Sequence, residues 1–120
     1  MNSPGRADWD VVRIQEGVVR SLAIHAAQEI DGVAQIAPGF LGTLWKWLTD
    51  QDQPQGMKVE MHASEVRVKA SLIVEYGVNI PQVADGVREN IRQALERFAG
   101  ITPTEIHVAV VGVAKPNRKR

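Results

Sequence analysis

Residues 57–75 read MKVEMHASEVRVKASLIVE, and apolar side chains alternate with polar ones through most of this stretch. A period of two is typical of strands that bury one face. Residues 81–99, PQVADGVRENIRQALERFA, instead repeat their apolar side chains at helical spacing, and residues 105–113, EIHVAVVGV, return to a strand pattern. The sequence therefore predicts a strand, strand, helix, strand unit.

The predicted helix joins two strands of one sheet, so the connection should be a right-handed crossover that leaves those strands parallel. Six apolar residues form the face that this helix buries: Val83, Val87, Ile91, Ala94, Leu95 and Phe98. The last strand is apolar on both faces, with Ile106, Val108 and Val110 on one face and Ala109, Val111 and Val113 on the other. We therefore expect this strand to be covered on both sides or to line an interface.

The turn between the first two strands sets their register. With Ser64 and Glu65 as a two-residue turn, Glu60 would lie opposite Lys69 on the solvent face of the hairpin. An exposed pair of this kind contributes only about a few tenths of a kcal/mol, so it would favour the register more than the stability.

The first half of the chain carries a second helical pattern. After a short strand at Val11 to Ile14, the apolar residues from Val18 to Ile30 predict a helix that ends near Gly32, followed by a short strand at Val33 to Ile36. Alanines make most of its predicted packing face: Ala23, Ala26 and Ala27. The predicted fold class is α+β, a two-layer domain with two main helices packed on a small mixed β-sheet, in the order strand, helix, strand, strand, helix, strand.

The length and composition are those of one globular domain, with 120 residues of which 44% are hydrophobic. We expect a polar amino-terminal tail at 1–10, a single domain at 11–114 with a variable tryptophan-bearing loop at 37–56, and a basic carboxyl-terminal tail at 115–120. Lys and Arg, 14 in all, balance 14 Asp and Glu. The strong attraction that basic domains exert on phosphate backbones is therefore missing, and a nucleic-acid partner is disfavoured.

The chain has no cysteine, which excludes disulfides, thiolate metal ligands and cysteine nucleophiles. Its first ten residues contain no apolar core of the kind a secretory signal needs, and no window approaches the roughly 18 apolar residues of a membrane-spanning helix. We therefore expect a cytoplasmic protein.

The residue types that carry catalysis are scattered. His25, His62 and His107 fall in three different elements, and the i, i+4 pair of His25 with Glu29 is interpreted as a surface ion pair. The serines do not lie in a nucleophile-elbow setting. We expect no catalytic residue, no metal site, no cofactor and no small-molecule substrate.

The segment after Pro38 is too apolar for an ordinary solvated loop. Trp45 and Trp47 flank a single lysine, and tryptophan is enriched at interfaces. The alternative is that the segment folds back to cover the domain's own core. As an interface, it forms a candidate interaction surface together with the end of the last strand: Phe40, Leu41, Leu44, Trp45, Trp47, Leu48, Val111 and Val113.

Gly39-Phe40-Leu41-Gly42 matches the GxxG pattern of the KH module, which clamps a nucleic-acid backbone. Basic residues are expected at the two middle positions of such a loop, whereas this chain has Phe40 and Leu41. RNA binding through Gly39 to Gly42 is the alternative function, and a plain turn is the simpler interpretation of the pattern.

Several spaced apolar and glycine positions resemble those of the alkaline shock protein family of Gram-positive bacterial envelope stress response proteins. The similarity covers roughly residues 11–114, and its most specific part is Val74-Glu75-Tyr76-Gly77 leading into Ile80-Pro81. The other matching stretches are Val18 to Ile36, Gly56 to Val59, and Gly100-Ile101 before Val108 to Val113.

The resemblance implies a non-enzymatic protein of envelope stress response and cell-envelope homeostasis. It further implies a scaffold or interaction module that forms homo-oligomers and reaches the inner face of the cell membrane through a membrane-anchored protein partner. The chain departs from the family pattern in two places: the strand around Val11 to Ile14 lacks a glycine lead-in, and the tryptophan-bearing segment is not a family hallmark.

Overall fold

A computed structural model of the chain describes residues 14–37, 56–63 and 65–115. Two helices pack against a four-stranded sheet, which confirms the predicted two-layer α+β class. Residues 11–13 of the first predicted strand lie outside the described part. The elements are α1 (Glu16–Gln28), β1 (Val33–Ile36), β2 (Met57–His62), β3 (Glu65–Glu75), α2 (Ile80–Ala94) with one π-helical turn after it (Leu95–Ala99), and β4 (Glu105–Ala114).

The central strand is β3, which is paired along both of its edges. On one edge it pairs in parallel with β4, as the crossover pattern predicts. On its other edge it pairs antiparallel with two strands in turn, β2 opposite residues 65–70 and β1 opposite residues 72–74. The sheet is therefore mixed, and three strands wide at any point.

The strands β1 and β2 meet end to end beside Ser71. The Ser71 amide donates to the Gly56 carbonyl at 2.8 Å, and the Ser71 carbonyl accepts from the Ala37 amide at 3.0 Å. A Cβ atom on Gly56 would lie 1.7 Å from the Ala37 carbonyl oxygen, so only glycine fits here. Ala37 and Gly56, which flank residues 38–55 in the sequence, thus lie together at one point of the sheet.

The predicted register of the β2–β3 hairpin is wrong by one turn residue. His62 lies opposite Glu65, so the turn begins at Ala63, which adopts a φ of 46°. Tight two-residue turns need positive φ values, and Ala63 accepts one here. Each residue of β3 therefore pairs with a β2 residue two positions earlier than predicted, and every side chain stays on its predicted face. Apolar alternation is the same in both registers, so it cannot distinguish them.

The core lies between the helices and one face of the sheet. The predicted alanine face of α1 is confirmed, since Ala23, Ala26 and Ala27 are all buried. From the sheet, alternate residues of β3 enter the same cluster, and α2 contributes a stripe at helical spacing. The largest fully buried side chains are Val19, Val68, Leu72, Val74, Val87, Ile91 and Leu95.

Phe98 does not belong to the buried stripe of α2, contrary to the prediction. Val83, Val87, Ile91 and Leu95 are buried as expected, but Phe98 is 69% exposed. The turn from Leu95 to Ala99 is π-helical, and its wider hydrogen-bonding step rotates Phe98 away from the stripe.

A bulge in β4 changes the facing of its last residues. Val110 pairs with Leu72, but Gly112 pairs with Ile73, so Val111 is an extra residue between them. Val113 then lies opposite Val74, which belongs to the core. The predicted grouping of Val113 with Ala109 is therefore wrong, because strict alternation stops at the bulge.

Candidate interaction surface

The strand β4 forms one edge of the sheet. One of its edges pairs with β3 from Glu105 to Ala114, and no strand of the described residues pairs with the other. Its sequence EIHVAVVGVA contains neither lysine nor proline. Natural edge strands are usually protected by such residues or kept short, and a long apolar edge is ready to accept another strand.

Exposed apolar side chains occur near the carboxyl ends of β3 and β4 and at the start of α2. Val111 is 53% exposed and Val113 is 50% exposed, close to the carboxyl end of β4. Tyr76 follows β3 directly and is 69% exposed, and Ile80 opens α2 at 39%. We call Val111, Val113, Tyr76 and Ile80 the β4-end surface. Contiguous patches of exposed apolar side chains mark sites of association.

Six of the eight predicted surface residues lie outside the described residues: Phe40, Leu41, Leu44, Trp45, Trp47 and Leu48. Their segment joins the sheet at Ala37 and Gly56, beside the edge of β3 opposite to β4. The proposed RNA-binding loop, Gly39 to Gly42, also falls in this segment. Both hypotheses about the segment remain predictions.

The sequence analysis missed two members of the β4-end surface. Tyr76 and Ile80 belong to the stretch that carries the most specific part of the family resemblance, and that was the available signal. Periodicity did not single them out, because a turn residue and the first residue of a helix belong to no repeating apolar face.

The sheet face away from the helices carries a shallow depression of about 320 Å³ with charged walls. His107 lines it beside Glu105 and Glu60, but no carboxylate of the described residues bonds to the imidazole. Elsewhere in residues 14–37, 56–63 and 65–115, His, Asp and Glu form no cluster of three or more that could hold a metal ion.

A groove of about 270 Å³ runs between α1 and α2 and has His25 and Phe98 in its walls. The Asn90 side-chain amide bridges the helices, donating to the Ala26 carbonyl at 2.7 Å and to the Glu29 carboxylate at 3.1 Å. The expected ion pair of His25 with Glu29 is not formed, because Glu29 turns to Asn90 instead. The groove is thus a helix-packing seam.

The outward face of α2 holds an ion network around Arg92. Its guanidinium bonds to Glu89 and donates to both carboxylate oxygens of Glu96 at 3.0 and 3.1 Å. The hydrogen bond from Arg92 lowers the pKa of Glu89 most, and the hydrogen bond from Gln93 lowers it further, below its ordinary value of 4.5. The same two glutamates raise the pKa of Arg92. The network strengthens the charged state of a solvated helix face.

Neither helix of the described residues is long and apolar enough to span a bilayer.

Residues 6–115 match the sequence profile of the alkaline shock protein 23 family, which is described as having a cell envelope-related function. The chain belongs to this alkaline shock protein family. The resemblance predicted from the spaced apolar and glycine positions is therefore confirmed.

Relatives within the family differ in length. The uncharacterized protein YqhY of Bacillus subtilis is 32% identical over 102 residues, which make up 85% of this chain and 76% of YqhY. A stress response regulator gls24 homolog of Streptococcus pyogenes is 23% identical over 97 residues, or 80% of this chain. The match spans about half of that protein, 54%.

The fold also occurs in solved structures outside this family. A variant of MamM-CTD superposes with a TM-score of 0.53, covering 84% of this chain and all of the other at 12% identity. At that identity the likeness concerns the arrangement of helices and strands alone.

Proposed function

We propose that this alkaline shock family protein is an envelope stress scaffold that associates with a second copy of itself through β4 and the β4-end surface. The proposal is carried by the ten-residue edge of β4, which no strand of the described residues pairs and which ends in the exposed side chains of Val111 and Val113. The stress role is supported by the name of the streptococcal relative, a stress response regulator homolog.

A second copy suits this edge because β4 is complementary to itself. Closed dimers are commonly two-fold symmetric, and two β4 strands related in this way would run antiparallel. Glu105 of one copy would then approach the end of the other β4, where Lys115 follows Ala114. No like charges would meet, and the central part of the pairing would be apolar.

Sedimentation velocity tests this association. We expect the wild type to sediment as a dimer or larger species at tens of micromolar, and the double variant Val111→Lys/Val113→Lys as a monomer. Val18→Lys on α1 is the matched control, because Val18 is 51% exposed. A wild type that stays monomeric, or a control that dissociates equally, would refute the role of β4.

The proposal also includes recruitment of the protein to the membrane by a membrane-anchored protein partner. We expect the tagged protein to appear in the membrane fraction of its own cells and to leave it in the Val111→Lys/Val113→Lys variant. The Trp45→Ala/Trp47→Ala variant tests the tryptophan-bearing segment separately. If only the tryptophan variant leaves the membrane fraction, that segment meets the partner and β4 serves self-association alone.

A further inference from the structure

We propose that the open face of the sheet, away from the helices, binds a phosphate group between Lys58, Lys69 and His107. This site does not include the β4-end surface, but His107 and the neighbouring Glu105 belong to β4, the strand of the proposed association. It lies in the charged depression of about 320 Å³.

The strand register brings the three side chains into one row. Lys58 of β2 lies directly opposite Lys69 of β3, and Lys69 lies directly opposite His107 of β4. Directly opposed residues in a sheet point to the same face, and like charges in that position repel. The row therefore places two ammonium groups and an imidazole side by side across three strands.

The neighbouring row of Glu60, Arg67 and Glu105 carries one net negative charge, and both of its carboxylates are engaged in ion pairs. Arg67 lies between Glu60 and Glu105 in the register, 3.9 Å from the Glu105 carboxylate. Arg67 also contacts Glu65 at 3.3 Å, and Lys58 contacts Glu60 at 3.6 Å. Among the described residues, no carboxylate lies within ion-pairing distance of the Lys69 ammonium. Lys69, at the centre of the row, thus keeps its charge available to a ligand.

The arrangement suits a phosphate better than a carboxylate. Adjacent strands are about 4.8 Å apart, so the row spans roughly 10 Å, and flexible lysine stems can converge on one group within that width. A phosphate offers acceptor oxygens in several directions to separately mounted cations, whereas a planar carboxylate is best held by the fork of an arginine. The nearby guanidinium of Arg67 is already held by glutamates.

The depression is open, so it would hold the phosphate while the rest of the ligand stays outside. The phosphate can belong to a soluble ester or to a lipid headgroup. Two probes separate these sources: inorganic phosphate in solution, and vesicles of phosphatidylcholine with and without about 20% phosphatidic acid.

The experiment compares the wild type with Lys69→Gln and, as a control, Arg20→Gln, which removes one positive charge from the exposed surface of α1. Amide NMR shifts at residues 58, 69 and 107 should saturate with inorganic phosphate, and Lys69→Gln should weaken this binding roughly 3- to 10-fold while Arg20→Gln leaves it unchanged. In low-salt buffer without phosphate, Lys69→Gln should unfold at a higher temperature than the wild type because the repulsion is removed.

Shifts with inorganic phosphate alone would support a soluble ester, and Lys69-dependent binding to phosphatidic acid vesicles would support a lipid headgroup. Equal weakening by Lys69→Gln and Arg20→Gln would reduce the effect to general charge and overturn the proposal. So would the absence of shifts in the row with binding to neither probe.

Discussion

The two edges of the sheet are built differently. One edge is made of two short strands that meet end to end, β1 with four residues and β2 with six. The other edge is β4, ten residues long and broken only by a bulge at Val111. Short, interrupted and charged edges resist pairing with other chains, whereas long apolar ones invite it. The difference favours β4 as the edge for the proposed association.

The glycines on the two edges should respond differently to a methyl group. In Gly56→Ala the new Cβ would overlap the Ala37 carbonyl, 1.7 Å away, so the backbone must move. We expect a loss of about 3 kcal/mol in the free energy of unfolding, at the upper end of overpacking effects. Urea unfolding followed by circular dichroism measures it.

Gly112→Ala in β4 is the matched control for that change. Its Cβ would lie 3.4 Å from the Ile73 side chain, close to an ordinary contact. We expect a change of less than about 1 kcal/mol, as for tolerated core changes. Equal losses in the two variants would show that the junction of β1 and β2 is not tightly built.

A substitution in the hairpin turn after β2 should change the free energy of unfolding less than Gly56→Ala does, and in the opposite direction. Ala63 holds a φ of 46°, which glycine adopts without strain. Ala63→Gly should therefore raise the free energy of unfolding by about 0.5–1 kcal/mol, less than the full left-handed penalty because glycine gains unfolded-state freedom. Ala109→Gly, within β4, should lower it. If Ala63→Gly instead destabilises the protein, the turn does not begin at Ala63, which would agree with the register predicted from the sequence.

The ion network around Arg92 on α2 lies on neither edge of the sheet. Weakening it should have the smallest effect on stability. The pKa of Glu89 is lowered in the folded protein, so its pairing adds stability above the ordinary value of 4.5, and this is lost as the pH falls through the lowered value. Glu89→Gln should slightly lower the unfolding temperature at pH 7, and this difference from the wild type should shrink as the pH falls below 4.5. Glu75→Gln is the exposed control, and a difference independent of pH would contradict this origin.

Much of the fold follows from the sequence because periodicity reports burial. The alternation in β2 and β3 and the stripe of Val83, Val87 and Ile91 give the correct elements, since each marks residues that enter one core. Departures occur where one residue changes the geometry locally. The positive φ of Ala63, the bulge at Val111 and the π-helical turn before Phe98 each break a repeat.

The candidate sites are less predictable than the fold. Val111 and Val113 are found by their apolar pattern, whereas Tyr76 and Ile80 are recognised as exposed only from the structure. The row of Lys58, Lys69 and His107 depends on the hairpin register. A turn misplaced by one residue sets Glu60 opposite Lys69 and hides the row.

Hydrogen–deuterium exchange at low and high protein concentration tests most directly whether β4 is the associating edge. We predict that raising the concentration slows exchange in Glu105–Ala114 while the rates in β1 and β2 stay the same. The Val111→Lys/Val113→Lys variant should show no such dependence. Slower exchange along β1 and β2, with β4 unchanged, would contradict the account.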